Sequence, residues 1–172
     1  SYIKLKVWGC LTFMNDFKKE FMNEAIQEAI LARNKGEIPI GAVIVKDGII
    51  ISRAHNLKEI FNDVTAHAEI LAIREAAKVI GDWRLNGCEM YVTLEPCSMC
   101  ASAIIQSRIS KVYIGAFNNE MGACGSIINL LDNRYMNSFV PVEWMYNDKC
   151  VNLITEFFEN SRGKKWEEFT YI

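Results

Sequence analysis

Apolar residues in this chain keep changing their spacing, from every third or fourth position to every second position or a short unbroken run. That alternation limits the fold more than any other feature. Phe17, Phe21, Ala25 and Ala29 recur every four residues, with Leu31 and Ala32 extending the face, which predicts a helix over 17–34. Asn15 or Asp16 suits its start and Gly36 its end. Gly41–Val45 and Ile49–Arg53 read as strands joined by Asp47-Gly48, a pair suited to a type I′ hairpin. Residues 54–64 read as a polar loop with a hydrophobic tip. A second helix is predicted over Thr65–Ile80, with Ile70, Ile73 and Ala77 on its buried side and Gly81 stopping it. Strand Glu89–Leu94, a helix from Pro96 through Ser107 and strand Lys111–Ala116 follow. A glycine-rich loop, Asn118–Ser126, leads to a short helix over Ile127–Leu131 and a strand over Phe139–Met145. The helix expected over Asn147–Asn160 turns Val151, Ile154, Phe157 and Phe158 inward, and a final short helix is expected after Gly163.

The order α-β-β-α-β-α-β-α-β-α implies a central sheet with helices on both faces. The opening hairpin makes that sheet mixed. A chain of 172 residues suits one such domain, read here as 14–172. Residues 1–13 read as an extension: Ile3 to Val7 alternate like a short strand, and Met14 opens a segment that would start sensibly by itself. An edge strand or arm of the fold is the other reading of 1–13.

Composition removes several function classes. Hydrophobic residues at 51% and charged residues at 23% exclude disorder as the main state. A net charge of −2 excludes a strongly basic nucleic-acid coat, though not a local basic patch. The longest apolar run, Ile38 to Val45, falls far short of the roughly 18 residues a membrane span requires. Val7–Phe13 is broken by Gly9 and Thr12, and no small-residue cleavage site follows it. The six cysteines, at 10, 88, 97, 100, 124 and 150, are therefore expected in a reducing cytoplasm, free or bound to metal.

The chemistry concentrates in His67-Ala68-Glu69 and Pro96-Cys97-Ser98-Met99-Cys100. Two cysteines three apart at a helix start place both sulfurs on one side of the first turn, where the helix end favours thiolates. A CxxC alone is equally a redox pair, half a zinc finger, or chance. His67, also read at a helix start, supplies a third donor. Three protein ligands leave a place for water in a catalytic zinc site, whereas a structural zinc takes four. Cys88, Cys124 or His55 is available as a fourth. Glu69 lies about 200° around a regular helix from His67, so it suits a proton carrier better than a ligand. The plainer alternatives are a core histidine at 67 and an acid favouring the helix end at 69.

H-x-E together with P-C-x-x-C resembles the zinc-dependent nucleobase deaminases. Ile38 to Val43, Thr65 to Ile70, Tyr91 to Cys100, Ser107-Arg108-Ile109, Gly122 to Ser126 and Phe157-Phe158 followed by Arg162 resemble the bacterial tRNA-specific adenosine deaminases in particular. The resemblance spans roughly 17–163. It implies a cytidine deaminase-like three-layer α/β/α sandwich with a central mixed five-stranded sheet, a homodimer, and conversion of adenosine to inosine at the tRNA wobble position. It implies zinc on His67, Cys97 and Cys100, with Glu69 taking a proton from the zinc-bound water and returning protons to the purine and its leaving amino group. Asn56 matches the residue that hydrogen-bonds the base edge, and is otherwise a turn residue. Ile38, Pro39, Ala68, Leu94 and Pro96 would shape the pocket. Phe158 and Arg162 would meet the tRNA anticodon stem-loop.

Two positions depart from the pattern. Asn118 stands where the family often has aspartate, so a charge is missing where discrimination between RNA and DNA would be expected to arise. Met136-Asn137-Ser138-Phe139 stands where Asn-His-Arg is common, which removes a backbone or dimer contact and weakens the tRNA reading. Arg162, Lys164 and Lys165 beside Trp166 read as a basic cluster, with Lys18, Lys19 and Lys35 as further candidates for an RNA groove. A deaminase of free guanine, cytosine or cytidine would use the same zinc and glutamate. A non-enzymatic module with four zinc ligands and a thioredoxin-like redox protein are the remaining alternatives; the second leaves His67 and Glu69 unused.

Overall fold

The computed structural model describes residues 2–161, with side chains from Phe17 onward. Helix α1 (Tyr2–Asn34) leads to the hairpin β1 (Gly41–Lys46) and β2 (Ile49–His55), and then to a single-turn α2 (Lys58–Phe61). Next come α3 (Ala68–Ile80), β3 (Cys88–Leu94), α4 (Ser98–Gln106) and β4 (Lys111–Ala116). Three short strands, β5 (Asp132–Asn133), β6 (Ser138–Phe139) and β7 (Val142–Trp144), precede α5 (Asp148–Ser161). The five-stranded sheet has the order β2-β1-β3-β4-β7 and is mixed, as expected. β1 runs antiparallel to both β2 and β3, while β3, β4 and β7 are parallel. Asp47 (φ 51°) and Gly48 (φ 75°) form the hairpin turn in the left-handed conformations that a type I′ turn requires.

The sheet is buried on both faces, which produces two cores. Ala42, Ile44, Met90, Val92, Val112 and Ile114 face α3 and α4. Val43, Val45, Tyr91 and Tyr113 face α1 and α5. The result is a three-layer α/β/α sandwich. α1 approaches β1 closely because Gly41 has no side chain: a Cβ there would lie 2.1 Å from the Ala25 carbonyl oxygen and 2.5 Å from the Ala29 nitrogen.

Several local expectations are corrected. No strand forms over 3–7, since α1 already begins at Tyr2, and Asn15 and Asp16 lie inside it rather than capping it. Ile3, Val7, Leu11 and Met14 also satisfy helical spacing, and five alternating residues are too few to override it. In α3 the residues turned to the sheet are Ala68, Ala72 and Ala76, because small side chains permit close packing; Ile70, Ile73 and Ala77 are half-buried. Ile127–Leu131 is not helical, because its backbone bonds back to Gly122 and Ala123. The strand expected over 139–145 is divided at Pro141, and Ser138 anchors the turn by donating its hydroxyl to the Leu130 carbonyl at 2.6 Å. In α5 the buried stripe starts at Cys150 and Leu153, leaving Val151 47% and Phe158 37% exposed. The helix expected after Gly163, together with Arg162, Lys164, Lys165 and Trp166, lies outside the described residues.

Candidate metal centre and active site

Two helix starts build the site, one after the α2–α3 connection and one after β3. His67 is the N-cap of α3 with extended backbone (φ −75°, ψ 151°), and Cys97 is the N-cap of α4 (φ −73°, ψ 175°). Both therefore precede their helices rather than lying in the first turn. This removes the 200° separation expected between His67 and Glu69, because His67 is not on the helical wheel. Cys100 sits in the first turn of α4, buried.

The His67 Nδ1 atom lies 3.7 Å from Cys97 Sγ and 3.6 Å from Cys100 Sγ. All three donor atoms fall within 4.8 Å of one another. With Zn–S of about 2.3 Å and Zn–N of about 2.0–2.1 Å, tetrahedral geometry requires N···S edges of about 3.6 Å. Both N···S separations thus match the edges of a zinc tetrahedron, and the thiolate and imidazole donors suit that ion. Among the described residues this group contains three donors and no fourth. His55 is engaged elsewhere: Lys35 Nζ donates to its Nε2 at 2.9 Å, so its Nδ1–H donates to Glu28 at 2.7 Å. Cys88 and Cys124 are buried thiols in the core.

The electrostatics agree with this assembly. The hydrogen bond from Cys100 and a further one with His67 hold the Cys97 thiol down to about 4, against burial. Cys100 is pushed up by the Cys97 sulfur and by burial. His67 is raised, chiefly by its bond with Cys97. Glu69 is 4% exposed. Burial pushes its carboxyl up to about 7, helped by the Cys97 charge and opposed by its own backbone N–H, His67 and the Cys100 thiol. An acid at about 7 both accepts and releases protons at neutral pH.

Asn56 is 4% exposed and its amide is fixed in place. Its Nδ2 donates to Glu37 at 3.3 Å and to the Ile38 carbonyl at 3.5 Å, while its Oδ1 accepts the Lys58 N–H at 3.3 Å. Pro39, Ala68 and Pro96 are buried, and Ile38 and Leu94 half-buried. Asn118 is half-buried, and its Oδ1 accepts the N–H groups of Glu120 (3.2 Å) and Met121 (3.0 Å) within its own loop. Phe158 is placed apart from the donors, on α5, with its ring edge-on to Phe157. The lysines do not form one groove: Lys18 bonds Glu143 on β7 and Lys35 bonds His55 on β2, at opposite edges of the sheet.

Two residues escaped sequence reasoning. Glu37, 1% exposed, accepts from Asn56 and from the Ile60 N–H at 2.8 Å. Glu95, also 1% exposed, accepts the N–H groups of Cys124 (3.4 Å) and Ser126 (3.2 Å) and the Ser126 hydroxyl. Each ties a loop to the site. The one sequence signal was an acid embedded in an apolar stretch.

Three soft donors at two helix starts, beside a buried acid of raised pKa, define a zinc hydrolase type of site. The family model for the cytidine and deoxycytidylate deaminase zinc-binding region matches residues 15–116, and the chain belongs to that family. It is 48% identical to a tRNA-specific adenosine deaminase of Bacillus subtilis over 84% of this chain and 91% of that protein. It is 46% identical to the tRNA-specific adenosine deaminase of Aquifex aeolicus, over 85% of this chain and 97% of that one. A solved structure from a study of A-to-I editing by tRNA:A34 deaminases at the wobble position superposes with a TM-score of 0.76 at 40% identity, covering 78% of this chain and 99% of that one. The guanine deaminase of Bacillus subtilis is more distant, with a TM-score of 0.57 at 31% identity over 87% of this chain and 96% of that one.

Proposed function

We propose that this chain deaminates adenosine to inosine at the wobble position of tRNA. The observation that carries the chemistry is the three-donor centre with Glu69 beside it. The likeness to tRNA-specific adenosine deaminases at 46–48% identity over most of the chain supports the substrate.

The reaction exchanges the amino group at C6 of adenine for oxygen from water and releases ammonia. His67, Cys97 and Cys100 would hold zinc, which when bound lowers the pKa of a water ligand toward about 7. The Glu69 carboxylate takes a proton from the attacking water, delivers it to ring N1 and carries the next one to the departing amino group. Its raised pKa suits that shuttle. Asn56, oriented by Glu37, faces the base edge, and Ile38, Pro39, Ala68, Leu94 and Pro96 form the pocket wall. Asn118, Phe158 and Arg162 are assigned to the RNA.

The reading includes a homodimer. α3 and α4 enclose an open groove of about 1040 Å³ whose lining includes Ile70, Ile73, Ala77, Met99, Ala103 and Ile105. A second copy would cover that apolar strip. The reading also places the enzyme in the cytoplasm, where thiols such as Cys88, Cys124 and Cys150 stay reduced.

The test is deamination of an anticodon stem-loop carrying adenosine at the wobble position, with free adenine, guanine, cytosine and cytidine in parallel. Inosine in the stem-loop alone is expected. Glu69→Ala should keep its zinc and lose roughly 10²–10⁴-fold in turnover. Turnover of a free base with an inert stem-loop would assign the chain to the free-base deaminases instead.

A further inference from the structure

Phe117, Trp144 and Tyr146 form an aromatic cluster that the deamination chemistry does not use. Phe117 stacks on Trp144 with ring centres 4.4 Å apart, and Tyr146 meets Phe117 at 5.7 Å. Phe117 is 47% exposed and Tyr146 68%. Tyr146 also holds a φ of 48°, a left-handed conformation that bulky residues rarely adopt. It is clamped there from both sides: the Met145 N–H donates to the Ile114 carbonyl and the Asn147 N–H to that of Gly115, each at 2.8 Å. Strain of this kind persists where the surrounding structure enforces it, and it concentrates at functional surfaces.

The cluster sits beside the candidate active site. β3, β4 and β7 are parallel, so their C-terminal ends lie on one side of the sheet. The end of β3 leads to Cys97, the end of β4 leads to Phe117, and β7 ends at Trp144. Adjacent strands are about 4.8 Å apart, so the rings begin one strand over from the metal donors. The 118–126 loop bridges the two. A Cβ on Gly125 would lie 3.5 Å from the Trp144 indole, and Cys124 and Ser126 on either side of it bond Glu95, two residues before Cys97.

We propose that Phe117 and Tyr146, backed by Trp144, stack a base of the RNA that neighbours the deaminated nucleotide. This rests on the tRNA reading of the site. The chemistry selects the occupant. Asn118, Asn119, Glu120, Asn147, Asp148 and Lys149 follow the rings in sequence, two acids against one base, so net charge does not draw a phosphate there, whereas open ring faces stack any base. Two exposed rings are too little for a protein partner, which buries about 800 Å² per side.

The test measures KM and kcat on the wobble-adenosine stem-loop for the wild type, Phe117→Ala and Tyr146→Asn. It repeats them on stem-loops with an abasic site on either side of the target. Each variant should raise KM roughly five- to hundred-fold and leave kcat within about twofold. Removing one neighbouring base should abolish that penalty. Tyr146→Asn should at the same time raise the melting temperature, because asparagine tolerates the left-handed backbone. Greater stability with weaker binding separates a stacking role from a structural one. Unchanged KM in both variants, or a penalty that survives on both abasic stem-loops, overturns the proposal. A wild type inert on every stem-loop but active on a free base overturns the tRNA reading, and this proposal with it.

Discussion

Removing the Glu95 side chain should loosen the 118–126 loop by a calculable amount. The carboxylate is the sole acceptor shown for the Cys124 N–H, and it also takes the N–H and hydroxyl of Ser126. Glu95→Ala leaves the buried Cys124 N–H and the half-buried Ser126 N–H without this partner, at about 1–3 kcal/mol each, the second toward the low end. The Ser126 hydroxyl is able to turn to solvent, and water entering the vacated space recovers part of the rest. A loss of about 3 kcal/mol is therefore expected. At roughly 2–4 °C per kcal/mol for a chain of this size, the melting temperature should fall by about 6–12 °C. Gly122 sharpens the test, because a Cβ there would lie 2.0 Å from Glu95 Oε2. Gly122→Ala alone forces that carboxylate away; in the Glu95→Ala background this part of the collision is gone, and the contact with the Asn118 carbonyl oxygen, 2.5 Å from the new Cβ, remains. Urea unfolding of the two single variants and the double should give a double less destabilised than the sum, by about 1 kcal/mol or more. Strict additivity, or a Glu95→Ala protein that unfolds like wild type, would refute the idea that this carboxylate pins the loop.

Asn118→Asp keeps the acceptor used by the Glu120 and Met121 N–H groups and adds one charge. It should leave stability unchanged and raise the ratio of activity on RNA over matched DNA hairpins; an unchanged ratio refutes a role for that charge. At Glu143 burial alone would raise the pKa, but hydrogen bonds from Lys111 and Lys18 hold the carboxyl below its usual value. A depressed pKa contributes stability above the unfolded value that is lost as pH falls through the folded one. Glu143→Gln should thus melt below wild type at pH 7, and the gap should close under acid; a gap independent of pH contradicts this account.

Local signals carried much of the fold. The Asp47-Gly48 turn was legible because few residue pairs adopt two successive left-handed conformations. β3 and β4 were legible as short unbroken apolar runs, which suit strands buried on both faces. His67, Glu69, Cys97 and Cys100 were legible because residue type and spacing together are rare. The α5 stripe expected from Val151 and Ile154 lies one residue earlier, because Cys150, 1% exposed, packs as a small apolar residue and begins it. Glu37 and Glu95 were illegible for another reason. Their partners are mainly backbone N–H groups of loops between 23 and 31 residues away, and no side-chain pattern records such bonds.

His67 and Cys97 stand 30 residues apart in sequence, and the stretch between them carries α3 and β3. An ion shared by the two closes a ring in the chain, much as a covalent crosslink does. By the loop-closure relation used for disulfides, a ring of that size removes about 3–4 kcal/mol of unfolded-state entropy at 25 °C. The reagent that drives the chemistry would therefore also be a staple. Zinc supply and protein lifetime become linked: a cell short of the metal would lose activity and, soon after, the enzyme itself.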